Sequence, residues 1–299
     1  MDNIKIVKLM GGIGNQMFEY AFGLALQKNQ NCKLLFDTSY FDEMVADKNG
    51  LPSRFYELGI FQNLNIEFAP KKLVKEFEKK SPLPKFLCSL LGVPRYKYFV
   101  REKNAFKYDK KLLDKRGNTL IEGYFQNEKY YSDIKDELKH CFELPSIMEN
   151  DVYNQNLFEK IKSTKNSVFV HLRRSEYVNL GMDISENYYK HAAKYIAERI
   201  KNPKFFVFCA EDVDYVKNKF DLGFDFELVG EQNTTRENFY ENMRMMMACE
   251  HAIIANSSYS WWAAYLSDFD GKIVVAPTPW INGQDDVICH NWVKIKSQC

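Results

Sequence analysis

The chain has 299 residues, 45% of them hydrophobic and 27% charged, with a formal net charge of +1. That length fits two ordinary domains, and the composition excludes a disordered or fibrous chain. The near-neutral charge removes any global attraction to nucleic acid, and no apolar run approaches the roughly 20 residues that a spanning helix needs. Met1 to Leu9 reads as a short charged strand rather than a signal peptide. Seven cysteines without a C-x-x-C pair read as reduced thiols of a cytosolic protein.

Ile4 to Leu9 predicts a strand, and Gly11, Gly12 and Gly14 break the pattern just after it. Phe18, Ala21, Phe22, Ala25 and Leu26 fall at helical spacing within 15–28. Lys33 to Phe36 predicts the next strand, ending at Asp37. A strand, helix and strand in this order imply parallel pairing. Residues 40–118 are broken by Pro82, Pro84 and Pro94 and read as helices and loops. Within them, residues 71–116 hold fifteen Lys or Arg against five Asp or Glu, a local charge of +10. The same stretch contains the apolar run from Phe86 to Val93.

Thr119 to Phe125 predicts a strand and 127–141 a helix. The polar stretch 145–166 marks a domain boundary, giving domains 1–155 and 156–299. Beyond it strands and helices alternate. Strands are expected over 168–172, 205–209, 226–229, 252–255 and 273–276. Helices are expected over 186–200 with Ser185 as N-cap, from Asp212, over 236–249 and over 259–266. Such alternation argues for a doubly wound sheet.

Three segments carry chemistry. His171-Leu172-Arg173-Arg174-Ser175-Glu176-Tyr177 emerges at the C-terminal end of a strand, where open α/β sheets bind ligands. Adjacent guanidinium groups there suit a diphosphate, which they grip bidentately; ion bridges to nearby carboxylates are the structural alternative. Asn256-Ser257-Ser258-Tyr259-Ser260-Trp261-Trp262 joins a strand to a helix, so Ser257 and Ser258 can cap the helix or face an anion. Trp261 and Trp262 read as core. Gly11-Gly12-Ile13-Gly14-Asn15-Gln16 lets backbone approach a ligand closely, or forms a tight turn with Asn15 as a cap. With Asp37 it imitates a dinucleotide fingerprint, but Met17 stands where the third glycine belongs. Asp212 and Asp214 read as helix capping rather than as a metal pair. The five histidines are isolated.

Four segments together are more specific: Gly11 to Ala21, Gly123-Tyr124-Phe125-Gln126-Asn127, His171 to Tyr177, and Ala255 to Leu266. In this order the chain resembles the family-11 glycosyltransferases, bacterial and animal α-1,2-fucosyltransferases, over nearly its whole length. The resemblance implies a GT-B-like fold of two facing Rossmann-type α/β domains with a donor cleft, the N-terminal one on the acceptor side. It implies GDP-β-L-fucose as donor, no cofactor, inversion at the anomeric carbon and no catalytic metal. Arg173 would hold the β-phosphate, with Arg174 and His171 on the nucleotide side. Asn256, Ser257 and Ser258 would bind the diphosphate, and Gly14 and Asn15 would face the fucose. The family usually carries Asp where Glu176 stands, and Glu176 is the candidate base.

The expected acceptor is a galactoside-terminated oligosaccharide or a lipid-linked glycan, reached from the cytoplasm; residues 71–116 read either as an ordinary solvated basic face with a buried loop or as a peripheral contact to the inner membrane face. An NAD-dependent oxidoreductase built on Gly12, Gly14 and Asp37, and a non-catalytic sugar-binding protein suggested by 15% aromatic content, are the competing readings.

Overall fold

A computed structural model describes residues 3–42, 54–91, 94–209, 212–229 and 239–298, without the side chains of Lys85, Ser175 and Glu176. The chain divides into two compact units, Met1–Glu143 and Leu144–Cys299. The helix Val152–Ser163 belongs to the second unit and packs on the helix Glu241–Met247. Arg244 of that helix hydrogen-bonds the Pro145 carbonyl, which ties the start of the second unit to its own body.

The first unit is built on four parallel strands: β1 (Ile4–Lys8), β2 (Lys33–Asp37), β3 (Phe99–Arg101) and β4 (Thr119–Glu122). Their order in the sheet is β2-β1-β4-β3. One face buries Ile6, Leu35 and Leu120 against Val74 and Phe77 of the helix Lys71–Phe77. The long helix Ile13–Gln30 returns the chain from β1 to β2 and buries Phe18 and Phe22. Lys5 lies buried within β1, where its ammonium donates to the Gly117 carbonyl at 2.6 Å and to that of Lys115. Burial lowers its pKa to about 8.

The second unit carries β5 (Ser167–His171), β6 (Lys204–Phe208), β7 (Phe226–Val229), β8 (His251–Ile253), β9 (Val274–Thr278) and β10 (Val293–Lys296). All pair in parallel, in the order β10-β9-β8-β5-β6-β7. Val168, Val170, Ile253 and Val275 form a buried face with Tyr188, Ala192 and Ile196 of the helix Glu186–Ala197. The Tyr188 hydroxyl pins that helix to the sheet, donating to the carbonyls of Ile254 at 2.7 Å and Val275 at 3.1 Å. Two α/β units with parallel sheets are the composition expected of a GT-B-like chain.

Several local expectations change. The strand expected to reach Phe125 ends at Glu122, because Phe125 adopts φ +50° and turns the chain. The helix expected over 127–141 opens as two 3₁₀ turns, Glu128–Tyr130 and Ser132–Ile134, before Lys135–Cys141 becomes α-helical. The helix expected from residue 236 runs over Glu241–Met247; residues 236–238 lie outside the described chain. Ser185 does precede the helix Glu186–Ala197, but its side chain makes no capping bond. Trp261 and Trp262 are fully buried, and the Trp261 indole donates to the Val287 carbonyl at 2.8 Å.

Candidate functional site

In a doubly wound sheet a crevice opens where the strand order reverses, because successive helices cross to opposite faces there. In the second unit β6 and β7 lie on one side of β5, while β8, β9 and β10 lie on the other. The reversal therefore falls between β5 and β8, and two of the four motif segments leave the sheet from those strands. His171 is the last residue of β5. Asn256, Ser257 and Ser258 come after β8 and start the helix Ser258–Leu266.

The first unit repeats this plan. β2 lies on one side of β1, with β4 and β3 on the other, so its reversal falls between β1 and β4. The glycine loop leaves from β1, and Gly123 to Asn127 leave from β4. Each reversal point thus carries a pair of the motifs.

At the second unit's reversal point His171 is buried, and its Nδ1 finds no hydrogen-bond partner among the described residues. Burial, with the Arg173 charge adding to it, lowers its pKa to about 3. The imidazole is therefore neutral at pH 7. Its ring centre lies 6.1 Å from that of Tyr259, in the first turn of the neighbouring helix. Asn256 is also buried; its amide donates to the Met182 carbonyl at 2.9 Å while Oδ1 has no partner among the described residues. Ser257 occupies the N-cap position without a side-chain capping bond. The first intrahelical bond there is donated by the Trp261 N–H to the Ser257 carbonyl at 3.0 Å. The N-terminal turn, with its hydroxyls and positive dipole end, faces out of the helix start.

The two arginines are differently placed. Arg174 is held by structure: its guanidinium lies 3.5 Å from the Asp183 carboxylate and 4.1 Å from the centre of the Tyr215 ring. Its backbone N–H donates to Asp212 Oδ2 at 3.2 Å. That bond also corrects the capping role expected of Asp212, whose side chain makes no cap to its own helix. Asp214 lies in the first turn of that helix. Arg173 is half-buried and passes over the Tyr177 ring at 5.5 Å. Glu176 lies in the short helix Ser175–Asn179; its side chain is outside the described residues.

In the first unit Gly11 adopts φ +68°, where a Cβ would come within 2.6 Å of the Asn15 side chain. Gly12 is the N-cap, and Gly14 is buried within the first helical turn. Asn15 accepts from the Gln126 amide at 2.8 Å, which joins the glycine loop to the segment after β4. Gln16 stitches in a third segment: it donates to the carbonyls of Gly11 at 2.9 Å and Phe55 at 2.8 Å and accepts from the Glu57 N–H at 2.9 Å.

Residues that the sequence reading gave no site role also gather here, together with Asp37. A Cβ on Gly12 would stand 3.6 Å from Arg54 and 3.8 Å from Glu57. Glu19 is fully buried; one carboxylate oxygen accepts from the Met10 N–H at 2.8 Å and the other has no partner among the described residues. Burial drives its pKa well above the usual carboxylate range. Glu102 accepts from the N–H groups of Tyr124 at 2.9 Å and Phe125 at 3.1 Å. Burial raises its pKa to about 7. Asp37, the acid of the imitated dinucleotide fingerprint, spends both oxygens on Ser39, accepting from its N–H at 2.9 Å and its hydroxyl at 3.0 Å. Among the described residues no three His, Cys, Asp or Glu side chains gather as a metal site would require.

The sequence profile of Glycosyl transferase family 11 matches residues 4–296. The chain belongs to glycosyl transferase family 11. A family-11 chain is a glycosyltransferase, which displaces both the oxidoreductase and the non-catalytic readings. Two relatives from Escherichia coli align over nearly their full lengths. An alpha-1,2-colitosyltransferase is 31% identical, covering 98% of this chain and 99% of the relative. The O-antigen biosynthesis glycosyltransferase WbnK is 29% identical, covering 96% and 99%. Among solved structures, fucosyltransferase NodZ from Bradyrhizobium aligns with 88% of this family-11 chain and 91% of its own at 15% identity, with a TM-score of 0.48.

Proposed function

We propose that this chain is an inverting fucosyltransferase, moving L-fucose from GDP-β-L-fucose to the 2-hydroxyl of a terminal galactoside. The observation that carries the reading is the reversal point between β5 and β8. There a half-buried arginine, a helix start and two buried polar atoms that have no partner among the described residues converge. Buried polar groups are normally satisfied. A nucleoside diphosphate supplies acceptors for Arg173, for the serine hydroxyls and for the helix N–H groups. The neutral His171 ring can offer the nucleotide a hydrogen bond without adding charge.

In the reaction the acceptor oxygen attacks C1 of fucose from the face opposite the phosphate. The bond from C1 to the phosphate oxygen breaks with its electron pair, so negative charge grows on the β-phosphate. Arg173 and the helix start stabilise that charge as it forms. Arg174, held by Asp183 and Tyr215, keeps the Arg173 loop in place. Gly14 and Asn15 present the first unit's loop to the sugar. The hydroxyl proton passes to Glu176. No cofactor takes part, and the arginine and helix start meet the diphosphate charge that a metal would otherwise carry.

The 31% identical colitosyltransferase supports a second reading, in which the donor carries colitose, the 3-deoxy analogue of fucose. A site that hydrogen-bonds the fucose 3-hydroxyl rejects the deoxy sugar by on the order of 10⁴-fold. A site that leaves that position in apolar surroundings accepts both. The acceptor is a galactoside-terminated oligosaccharide, free or lipid-linked, as suits relatives named for O-antigen and colitosyl transfer.

The deciding experiment offers GDP-fucose and GDP-colitose, separately and in competition, against a panel of galactosides. The proposal expects kcat/KM to favour GDP-fucose and the product to be substituted at O2 of galactose. A preference for GDP-colitose moves the assignment to the second reading. Transfer to a position other than O2 removes the linkage.

A further inference from the structure

The apolar run inside the basic segment carries none of the proposed site residues. The helix Lys85–Leu90 occupies it. Its inner side is fixed by Cys88, which is buried with its thiol 3.5 Å from the Leu83 carbonyl. Phe86 and Leu90 recur at i and i+4, on the side of this helix away from Cys88. Phe86, Leu90 and the adjoining Leu91 are 69%, 77% and 62% exposed, the three most exposed large apolar side chains among the described residues.

The ends of this loop are closed on one another. Lys80 and Tyr96 form an antiparallel bridge, the Ser81 N–H donates to the Arg95 carbonyl at 2.7 Å, and Arg95 reaches the Leu83 carbonyl at 3.5 Å. The closure sets Lys79, Lys80, Arg95 and Lys97 at the neck of the loop that carries the apolar helix. From Lys79 to Lys97 there are five basic residues and no acidic one.

We infer that this loop is a membrane-docking element, inserting Phe86, Leu90 and Leu91 into an anionic lipid surface while the basic neck meets the headgroups. The inference is independent of which sugar the enzyme transfers. An exposed apolar cluster marks an interaction site, and the charge around it selects the occupant. A second copy of this chain, meeting the same face across a two-fold axis, would bring one all-basic neck against another. An anionic bilayer supplies both an apolar interior and the opposite charge.

The test is flotation of the full chain with vesicles of phosphatidylethanolamine and phosphatidylglycerol, against pure phosphatidylcholine, at low and high salt. Binding is expected to the anionic vesicles only, and to fall at least tenfold when salt screens the neck. Phe86→Ser with Leu90→Ser, two exposed positions, should abolish binding while leaving turnover of a soluble galactoside unchanged. Lys79→Glu with Lys80→Glu should weaken binding with the apolar helix intact. Failure of the wild-type chain to float with anionic vesicles overturns the inference. So does binding that survives Phe86→Ser/Leu90→Ser. Concentration-dependent dimerisation lost in that variant, without vesicle binding, identifies the second copy as the occupant and equally overturns it.

Discussion

At the residue scale the two arginines are expected to carry different loads. Arg174 is committed to Asp183 and Tyr215, so Arg174→Lys should act mainly on stability. The loss of stacking on Tyr215 costs on the order of 1 kcal/mol, read as a lower melting temperature with most of kcat retained. Arg173→Lys should do the reverse. Lysine keeps the charge but loses the planar fork, and the oxygens it faces gain charge only as the fucosyl bond breaks. Losing one such preorganised donor lowers kcat by about 10²–10³. Donor Kd should change far less, because the contact strengthens in the transition state. Kinetics and calorimetry on both variants would show it; equal loss of kcat in the two would remove the distinction drawn here.

Glu19 makes a prediction of the opposite kind. Its folded pKa lies well above its unfolded value, chiefly through burial. Above the ordinary carboxylate range the unfolded chain has released a proton that the native chain still holds. Stability from this residue is therefore full at acid pH and is lost as pH rises towards the folded pKa. Glu19→Gln keeps the carbonyl that accepts from Met10 and supplies an amide where the protonated acid supplies an O–H. The variant should match the wild type near pH 5 and melt at a higher temperature by pH 8. Parallel melting curves across that range would mean that Glu19 is ionised in the native state.

At the scale of elements, the motif segments prove to be paired loops rather than separate sites. Gly123 shows why its position excludes a side chain. A Cβ there would collide with Cβ of Glu102 and lie 2.6 Å from its carboxylate. That carboxylate holds the turn at Tyr124 and Phe125, from which Gln126 reaches Asn15. Gly123→Ala should cost about 1–3 kcal/mol as an overpacked contact. It should also loosen the glycine loop across the sheet, so melting temperature and kcat fall together. A variant that loses stability but keeps full kcat would uncouple the two loops.

The same elements show what sequence could and could not reveal. The loops after β1, β5 and β8 were legible because each couples a buried strand to residue types that bind ligands: glycines, a pair of arginines, adjacent serines. The pairing of β5 with β8 was not, since strand order is a long-range property. Glu102 and Arg54 carry no local signature; one arrives on the end of a three-residue strand and the other on an irregular segment. β3 and β10 leave little signal in the sequence. Three residues inside a basic stretch give β3 too short a period to read, whereas β10 does alternate, Val293 and Ile295 against Lys294 and Lys296, over only four residues at the sheet edge. Asp37 shows the converse error, a fingerprint residue whose oxygens are spent on its own turn.

At the scale of the whole molecule, each of the two parallel sheets brings a pair of distant motifs to its own reversal point. In the proposed reaction the diphosphate charge is met by Arg173 and the start of the helix Ser258–Leu266. Activity should therefore persist in EDTA; a loss restored by Mg²⁺ or Mn²⁺ would show that protein groups alone do not carry that charge. The most direct measurement is made in one sample of protein, GDP-β-L-fucose and lactose, following GDP release alongside the NMR spectrum of the product. The account predicts one GDP for each fucose transferred, with an α-linked fucose on O2 of galactose. A retained β-configuration, or GDP release with free fucose and no new glycosidic bond, would contradict it.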